Sequence, residues 1–333
     1  MELLTEYSLF LAKTLTAVIA ILVVVATLFA LAERGRSRPR EHLRVRKLNQ
    51  RFRDMENTLR HALMGRKALR MLRKDRKREK RQEKKEDTEQ RKRVYMLRFE
   101  GDLRASRADN LREEVSAILT MARPDRDQVV VCLESAGGLV HSYGLAASQL
   151  ARIRARKIPL TVAVDRVAAS GGYLMAAVAN RVVAAPFAIV GSIGVVAQIP
   201  NLHRFLRRRD VDIELLTAGE HKRTLTVLGK NTEAGRRKFQ EDLDDIHALF
   251  KAYISRYRPT LDLEQVATGE HWFGEQALER KLVDELGTSD DLLMELTKDA
   301  DVFEVTFHRR QPMGKRLTLA VENAVERILN RSG

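Results

Sequence analysis

Leu160-Thr161-Val162-Ala163-Val164-Asp165-Arg166-Val167-Ala168-Ala169-Ser170-Gly171-Gly172-Tyr173 compresses a strand, a corner and the start of a helix into fourteen residues. Leu160–Val164 is too short for a helix and suits a buried strand. Small residues then turn the chain, and Gly171–Ala179 continues as a short apolar helix. The same order occurs upstream: a strand at Gln128–Leu133, the corner Glu134-Ser135-Ala136-Gly137-Gly138, and a helix at Leu139–Arg156. Further outward, Val94–Phe99 reads as a strand and Leu111–Met121 as a helix. Arg181–Ala184 and Ala188–Val190 read as strands or turns, with further strands at Val195–Gln198 and Asp212–Thr217. Strands alternating with helices predict an α/β domain around a largely parallel sheet. Asn231 is the expected N-cap of a helix ending before Pro259, and its face Phe239, Leu243, Ile246, Phe250, Tyr253 and Ile254 is a core-facing stripe.

Sheets of this class bind ligands beyond the carboxyl ends of their strands, where both glycine corners fall. Each corner runs from strand into helix and leaves backbone N–H groups free. Ser170 stands at the second corner between Ala169 and Gly171, neighbours small enough to let a substrate backbone approach. The Gly171 N–H can face an oxyanion on the carbonyl that Ser170 attacks, and Gly138 offers a second donor from the first corner. Two preorganised donors of this kind stabilise a transition state by several kcal/mol. The competing reading is a helix N-cap serine beside packing glycines.

A serine nucleophile needs a base. None of the eight histidines lies in a motif that nominates it, and no HExxH-like metal pattern occurs, so no metal and no cofactor is expected. A lysine serves if desolvation brings its pKa from about 10.4 to about 7–8, at a cost of roughly 3–5 kcal/mol. Lys222 follows the expected strand Asp212–Thr217 and the turn Ala218-Gly219, and spacing alone leaves it one candidate among several.

Four ordered segments carry a resemblance. Asp165–Tyr173 resembles the nucleophile signature of the signal peptide peptidase A family of serine proteases, and Gly191-Ser192-Ile193-Gly194-Val195 its second signature. Ala218-Gly219-Glu220-His221-Lys222-Arg223-Thr224-Leu225 resembles the segment holding the family's general-base lysine. Gly274–Leu278 and Leu282–Gly287 resemble the closing motif, so the likeness covers about residues 94–295. It implies Ser170 as nucleophile, Lys222 as base, Ser192 as the hydroxyl that orients the lysine, and Gly171 with Gly138 as the oxyanion hole. It also implies a crotonase/caseinolytic-protease-like fold and a homo-oligomeric ring, in which neighbouring subunits complete the dyad in some relatives. One departure stands at the first corner. The family's pattern is Ser-Pro-Gly-Gly, and Ala136 occupies the proline position, removing a fixed φ.

The N-terminal third is of another kind. Residues 34–93 hold 25 Lys/Arg against 9 Asp/Glu, a net of +16; the whole chain is +15, so the remainder is 15 − 16 = −1. The basic character belongs to one segment, and nucleic-acid binding does not follow from it. Thr14–Ala32 is uncharged and overwhelmingly apolar, and its 19 residues would rise roughly 28 Å as a helix, close to a bilayer's hydrocarbon thickness. A cleaved signal peptide ending at Ala30-Leu31-Ala32 is the rival reading. Glu2, Glu6 and a lone Lys13 ahead of the run, with Arg34, Arg36, Arg38 and Arg40 behind it, favour a retained anchor. The same arginines place the bulk of the chain on the cytoplasmic side of a bacterial inner membrane, whereas some relatives put this domain on the other side. About Glu41 to Arg93 reads as an amphipathic helix with Leu48, Phe52, Met55, Leu59, Leu63, Leu69 and Leu72 on its stripe, which fades near Arg73 before the nearly all-charged Lys74–Arg93. It is read as a solvated spacer, an arm on anionic lipid headgroups, or a coiled coil. Cys132 is the single cysteine, lies in an apolar run and is expected to be buried.

The domain plan is thus an anchor at 1–33, a basic arm at 34–93, a Ser–Lys protease domain at 94–300 and an extension at 301–333. The expected activity is membrane-anchored serine endopeptidase, acting on signal-peptide-like or unfolded peptides. The alternatives are a catalytically idle scaffold of the same fold, against which Ser170 and Lys222 together argue, and an acyl-CoA enzyme, whose chemistry needs no serine–lysine pair.

Overall fold

The computed structural model describes residues 41–65, 91–219 and 221–309, together with Phe10, Lys13, Thr14 and Thr16. All but two residues of the expected anchor Thr14–Ala32 lie outside the described residues, as does the charged stretch 66–90. Among those described, no helix is long and apolar enough to cross a membrane. The chain divides into two units, Met1–His42 with His308–Gly333, and Leu43–Phe307. In the first, the His42 and His308 rings lie 5.3 Å apart and Arg309 pairs with Glu41. The second holds the sheet and the candidate site.

In chain order the elements are β1 (His42–Lys47), α1 (Leu48–Leu63), β2 (Arg93–Gly101), α2 (Ala108–Leu119), β3 (Gln128–Ser135), α3 (Val140–Ala155), β4 (Leu160–Val164), β5 (Val167–Ala169) and α4 (Gly171–Ala177). There follow β6 (Arg181–Ala184), β7 (Ile189–Gly191), α5 (His203–Arg207), α6 (Glu233–Tyr257), α7 (Leu263–Val266), β8 (His271–Phe273), α8 (Gly274–Glu279), β9 (Glu285–Leu286), α9 (Ser289–Asp299) and β10 (Asp301–His308). The sheet runs β1-β10-β2-β3-β4-β6-β9, with β5, β7 and β8 branching from it. Every pairing from β10 to β9, and those of β5, is parallel, while β7 and β8 are antiparallel. This is the α/β architecture with a largely parallel sheet that the alternation predicts.

The two sheet faces are sorted by the period of two along a strand. Tyr95, Leu97 and Phe99 of β2 and Val129, Val131 and Leu133 of β3 join a large core with α2, α3 and α4. Val94, Met96, Val130 and Cys132 face the other way, onto Leu48 of α1, Leu293 of α9 and Val302 of β10. Strands covered on both faces lose alternation, which is why β3 and β4 read as continuous apolar runs. Cys132 is buried as expected, and desolvation pushes its thiol up to about 11.

The arm departs from its expected form. His42–Lys47 is a strand beside β10, so the helix begins only at Leu48, and the sheet takes in residues on both sides of 94–300. Of the stripe, Leu48 is buried and Phe52 packs against it, while Met55, Leu59 and Leu63 are exposed. Asn49 fixes α1 in place: its Oδ1 accepts from Val302 N (2.8 Å) and its Nδ2 donates to Ala300 O (2.8 Å). Helix α6 is capped by Thr232, whose Oγ1 accepts from Gly235 N, and not by Asn231, which clasps the Thr226 backbone instead. The α6 stripe reaches the core only at its C-terminal end, where Ile254 is buried and Phe250 and Tyr253 pack beside it. Phe239, Leu243 and Ile246 stay half-covered.

Candidate active site

The sheet forks where the two corners lie. β3 pairs with β4 from Val129 to Cys132 and then, past Asp165-Arg166, with β5 through Ser135 and Ala168. The fork sets the ends of β3 and β5 side by side and delivers both glycine corners to one place. A Cβ built on Gly137 would lie 2.8 Å from each of Ala169 O, Gly171 N and Ser170 Cβ. Only glycine lets these two backbones approach so closely, and Gly137 also has φ +92°.

Ser170 is half-buried and has φ 50° and ψ −118°, a region that side-chain-bearing residues rarely occupy. Its N–H donates to Gly191 O (2.8 Å) and its carbonyl accepts from Leu174 N (2.9 Å), so the strained turn is held by β7 on one side and by α4 on the other. Strain of this kind costs of order 1–3 kcal/mol and persists where the surroundings over-determine it. The sharp strand-to-helix turn is the geometry that presents a nucleophile above a sheet. Helix α4 itself is buried along its whole length, and Gly171 and Gly172 start it because Tyr143 and Ser135 leave no room for a Cβ.

The second signature lies alongside. Ala169 pairs with Gly191 in parallel register, so Ser170 and Ser192 leave adjacent strands together. Ser192 also has positive φ, 51°, and its N–H donates to Glu270 O at 2.6 Å. Trp272 of β8 packs over Gly191, which has no space for a side chain. Gly138 is drawn toward the loop after β2, where a Cβ would strike Leu103, and Leu139 N donates to Leu103 O (2.8 Å). The closing motif holds the scaffold: Leu282 O accepts from Tyr173 Oη (2.9 Å), and Asp284 takes both Val182 N and the buried Arg258 guanidinium (2.7 Å each).

Lys222 is not joined to this group. It is exposed, its N–H donates to Gly219 O (3.2 Å), and no hydrogen bond links it to Ser170 or Ser192 among the described residues. The strands expected at Val195–Gln198 and Asp212–Thr217 do not form. No described strand lies alongside to take their backbone groups, and Val196 and Leu216 are about nine-tenths exposed, at 91% and 90%. Among the described residues, no three His, Cys, Asp or Glu side chains group as metal ligands would. The loop Asp102–Arg107 was not legible as part of the site. Its one sequence signal is Gly101-Asp102 closing β2, and its approach to Gly138 depends on β2 and β3 being neighbours.

Two family profiles match the chain, Peptidase family S49 N-terminal over residues 2–150 and Peptidase family S49 over residues 152–303. Probable protease SohB of Haemophilus influenzae is 46% identical, across 99% of this chain and 96% of its own length. The probable protease SohB of Buchnera aphidicola subsp. Acyrthosiphon pisum is 43% identical across 99% and 97%. The chloroplastic serine protease SPPA of Arabidopsis thaliana is 28% identical over 57% of this chain and 27% of its own. Among solved structures, a mutant of the 1510-N membrane-bound stomatin-specific protease aligns with a TM-score of 0.40 and 14% identity, covering 62% of this chain and 84% of that one.

Proposed function

Because this chain belongs to peptidase family S49, is similar in sequence to SohB and is a serine-type peptidase, we propose that it is a membrane-anchored endopeptidase using a Ser170–Lys222 dyad. The observation that carries the nucleophile is the strained turn at Ser170, pressed against the glycine corner of β3. Ser170 Oγ attacks the scissile carbonyl, and Gly171 and Gly138 donate backbone N–H groups to the oxyanion that forms. Neutral Lys222 takes the serine proton and returns it to the leaving amine, while Ser192 accepts from the lysine and orients it.

A lysine acts as a base only when it is desolvated, and Lys222 is exposed, so it must be covered before it can work. Val211, Ile213, Leu215 and Leu216 beside it are exposed as well. We place this segment beneath a neighbouring copy in a homo-oligomeric ring of crotonase/caseinolytic-protease-like subunits. Substrates are signal-peptide-like or unfolded peptides, threaded extended past Ser170. Thr14–Ala32 anchors the chain in the inner membrane, and the basic arm lies against anionic headgroups.

The test is a fluorophosphonate probe on the full-length protein with a peptide-hydrolysis assay alongside. Wild type is labelled at Ser170 and cleaves; Ser170→Ala does neither. Cleavage surviving in purified Ser170→Ala would overturn the assignment.

A further inference from the structure

Behind the two corners lies a buried hydrogen-bonded chain that the mechanism above does not use. Tyr143 on α3 and Ser135 at the end of β3 are both fully buried, at 0% and 1% exposure. Tyr143 Oη donates to Asp102 O (2.8 Å) in the loop after β2. That contact uses the only proton a phenol has. The 2.5 Å bond between Ser135 Oγ and Tyr143 Oη must therefore run from serine to tyrosine. Ser135 Oγ then accepts from Gly137 N (3.0 Å). Every donor is assigned, and the direction is fixed from Gly137 N–H to Asp102 C=O.

The same two side chains also touch the second corner. A Cβ on Gly171 would fall into the Tyr143 ring, and one on Gly172 would strike Ser135 O. Tyr143 thus bears on Gly171 through its ring and on Gly137-Gly138 through Ser135. Asp102, at the far end, precedes Leu103, whose carbonyl takes Leu139 N. We propose that Tyr143 and Ser135 are positioning residues, a brace that sets the first glycine corner against the N-terminus of α4 and so fixes the spacing of the two oxyanion donors. It supplies the restraint that Ala136, free to vary φ, does not. Burial pushes the Tyr143 phenol upward, so the brace stays neutral across the working pH range. Phenylalanine at 143 would keep the ring on Gly171 and leave the Ser135 hydroxyl without its acceptor. A buried hydroxyl turns to find another partner, and Gly137 loses its fixed one.

This inference rests on Ser170 as the nucleophile, and the experiment separates the two. Full-length wild type, Tyr143→Phe, Ser135→Ala and the double variant are titrated with fluorophosphonate, so that rates refer to competent sites only. For each, kcat, KM and the Ki of a peptide boronate are measured, because the boronate places an anionic oxygen between the same donors. Each single variant should lose about tenfold in kcat with KM nearly unchanged, and boronate affinity should fall by the same factor. The double variant should be no worse than either single one. A role confined to folding would lower the number of titrated sites and leave kcat and Ki per site at wild-type values, which would overturn the brace. If wild type is not labelled at Ser170, the nucleophile assignment falls and the brace with it.

Discussion

At Ser170 the backbone carries a conformation that glycine adopts freely and side-chain-bearing residues rarely do, yet serine is there. The side chain is therefore kept against a cost of order 1–3 kcal/mol. This has a measurable consequence. Ser170→Gly should melt higher than Ser170→Ala, because glycine releases the strain and alanine keeps it; equal melting temperatures would remove the strain argument. Both variants should be inactive. Lys222→Ala should be inactive too, and Ser170→Ala/Lys222→Ala little worse than either alone, since groups acting as one unit are not additive. In wild type, kcat/KM should rise with pH through an apparent pKa well below about 10.4, and Lys222→Arg should be dead because a guanidinium stays protonated. A flat profile between about pH 6 and 10 with chemistry limiting would argue against a titrating base.

Helix α2 shows how an element is tied to the sheet. Asn110 and Glu114, one turn apart, clamp Phe307 of β10: Asn110 Nδ2 donates to its carbonyl and Glu114 Oε1 accepts its N–H, both at 2.8 Å. Glu114 is buried, and desolvation raises its pKa more than the Phe307 N–H and Arg107 lower it. The folded state thus holds the Glu114 proton to higher pH than the unfolded chain does. Its contribution is fully present below the unfolded value of about 4.3 and is lost as pH rises through the raised folded value. Glutamine keeps the acceptor and cannot ionise. Glu114→Gln should therefore be more stable than wild type at neutral pH and lose that part of the slope, as read from urea midpoints at pH 4 to 8. A midpoint below wild type at pH 7 would contradict the assignment.

At the scale of the molecule, large apolar side chains lie uncovered between Val196 and Leu228, among them Phe205 and Leu216. Lys222 lies in the same stretch of chain, and the proposed ring would cover these side chains with a neighbouring copy. Val196→Asp/Leu216→Asp should shift the detergent-solubilised protein toward single copies in light scattering and lower kcat/KM in parallel. A monodisperse monomer with full activity would remove the ring from the mechanism. Sidedness is tested separately. Seven Lys/Arg lie from Arg34 to Lys47, just past the apolar run. Moving such a cluster outward opposes the membrane potential by about 2.3 kcal/mol per charge per 100 mV. An alkaline-phosphatase fusion at Gly333 should be inactive and a fluorescent-protein fusion bright; active phosphatase would reverse the orientation.

The strands and helices of the core were legible because their cause is local. Leu160–Val164 ends as read, and α3 and α4 start within a residue of their expected positions, since apolar runs and glycine breaks act over a few neighbours. The Ser170 corner was legible for the same reason. Strands that need a distant partner were not: β1 joins β10 across most of the chain length, while Val195–Gln198 and Asp212–Thr217, apolar enough to pair, find no described partner. Asn231 and Thr232 are both good caps by composition, and only the clasp on Thr226 decides between them. The Gly137–Ser135–Tyr143–Asp102 chain was invisible as well. A serine, a tyrosine and a backbone carbonyl from three segments carry no shared pattern, and the pairing of β2 with β3 is what brings them within hydrogen-bond reach. Local pattern specifies which residues turn, cross and cap, whereas long-range strand pairing decides which of those turns meet.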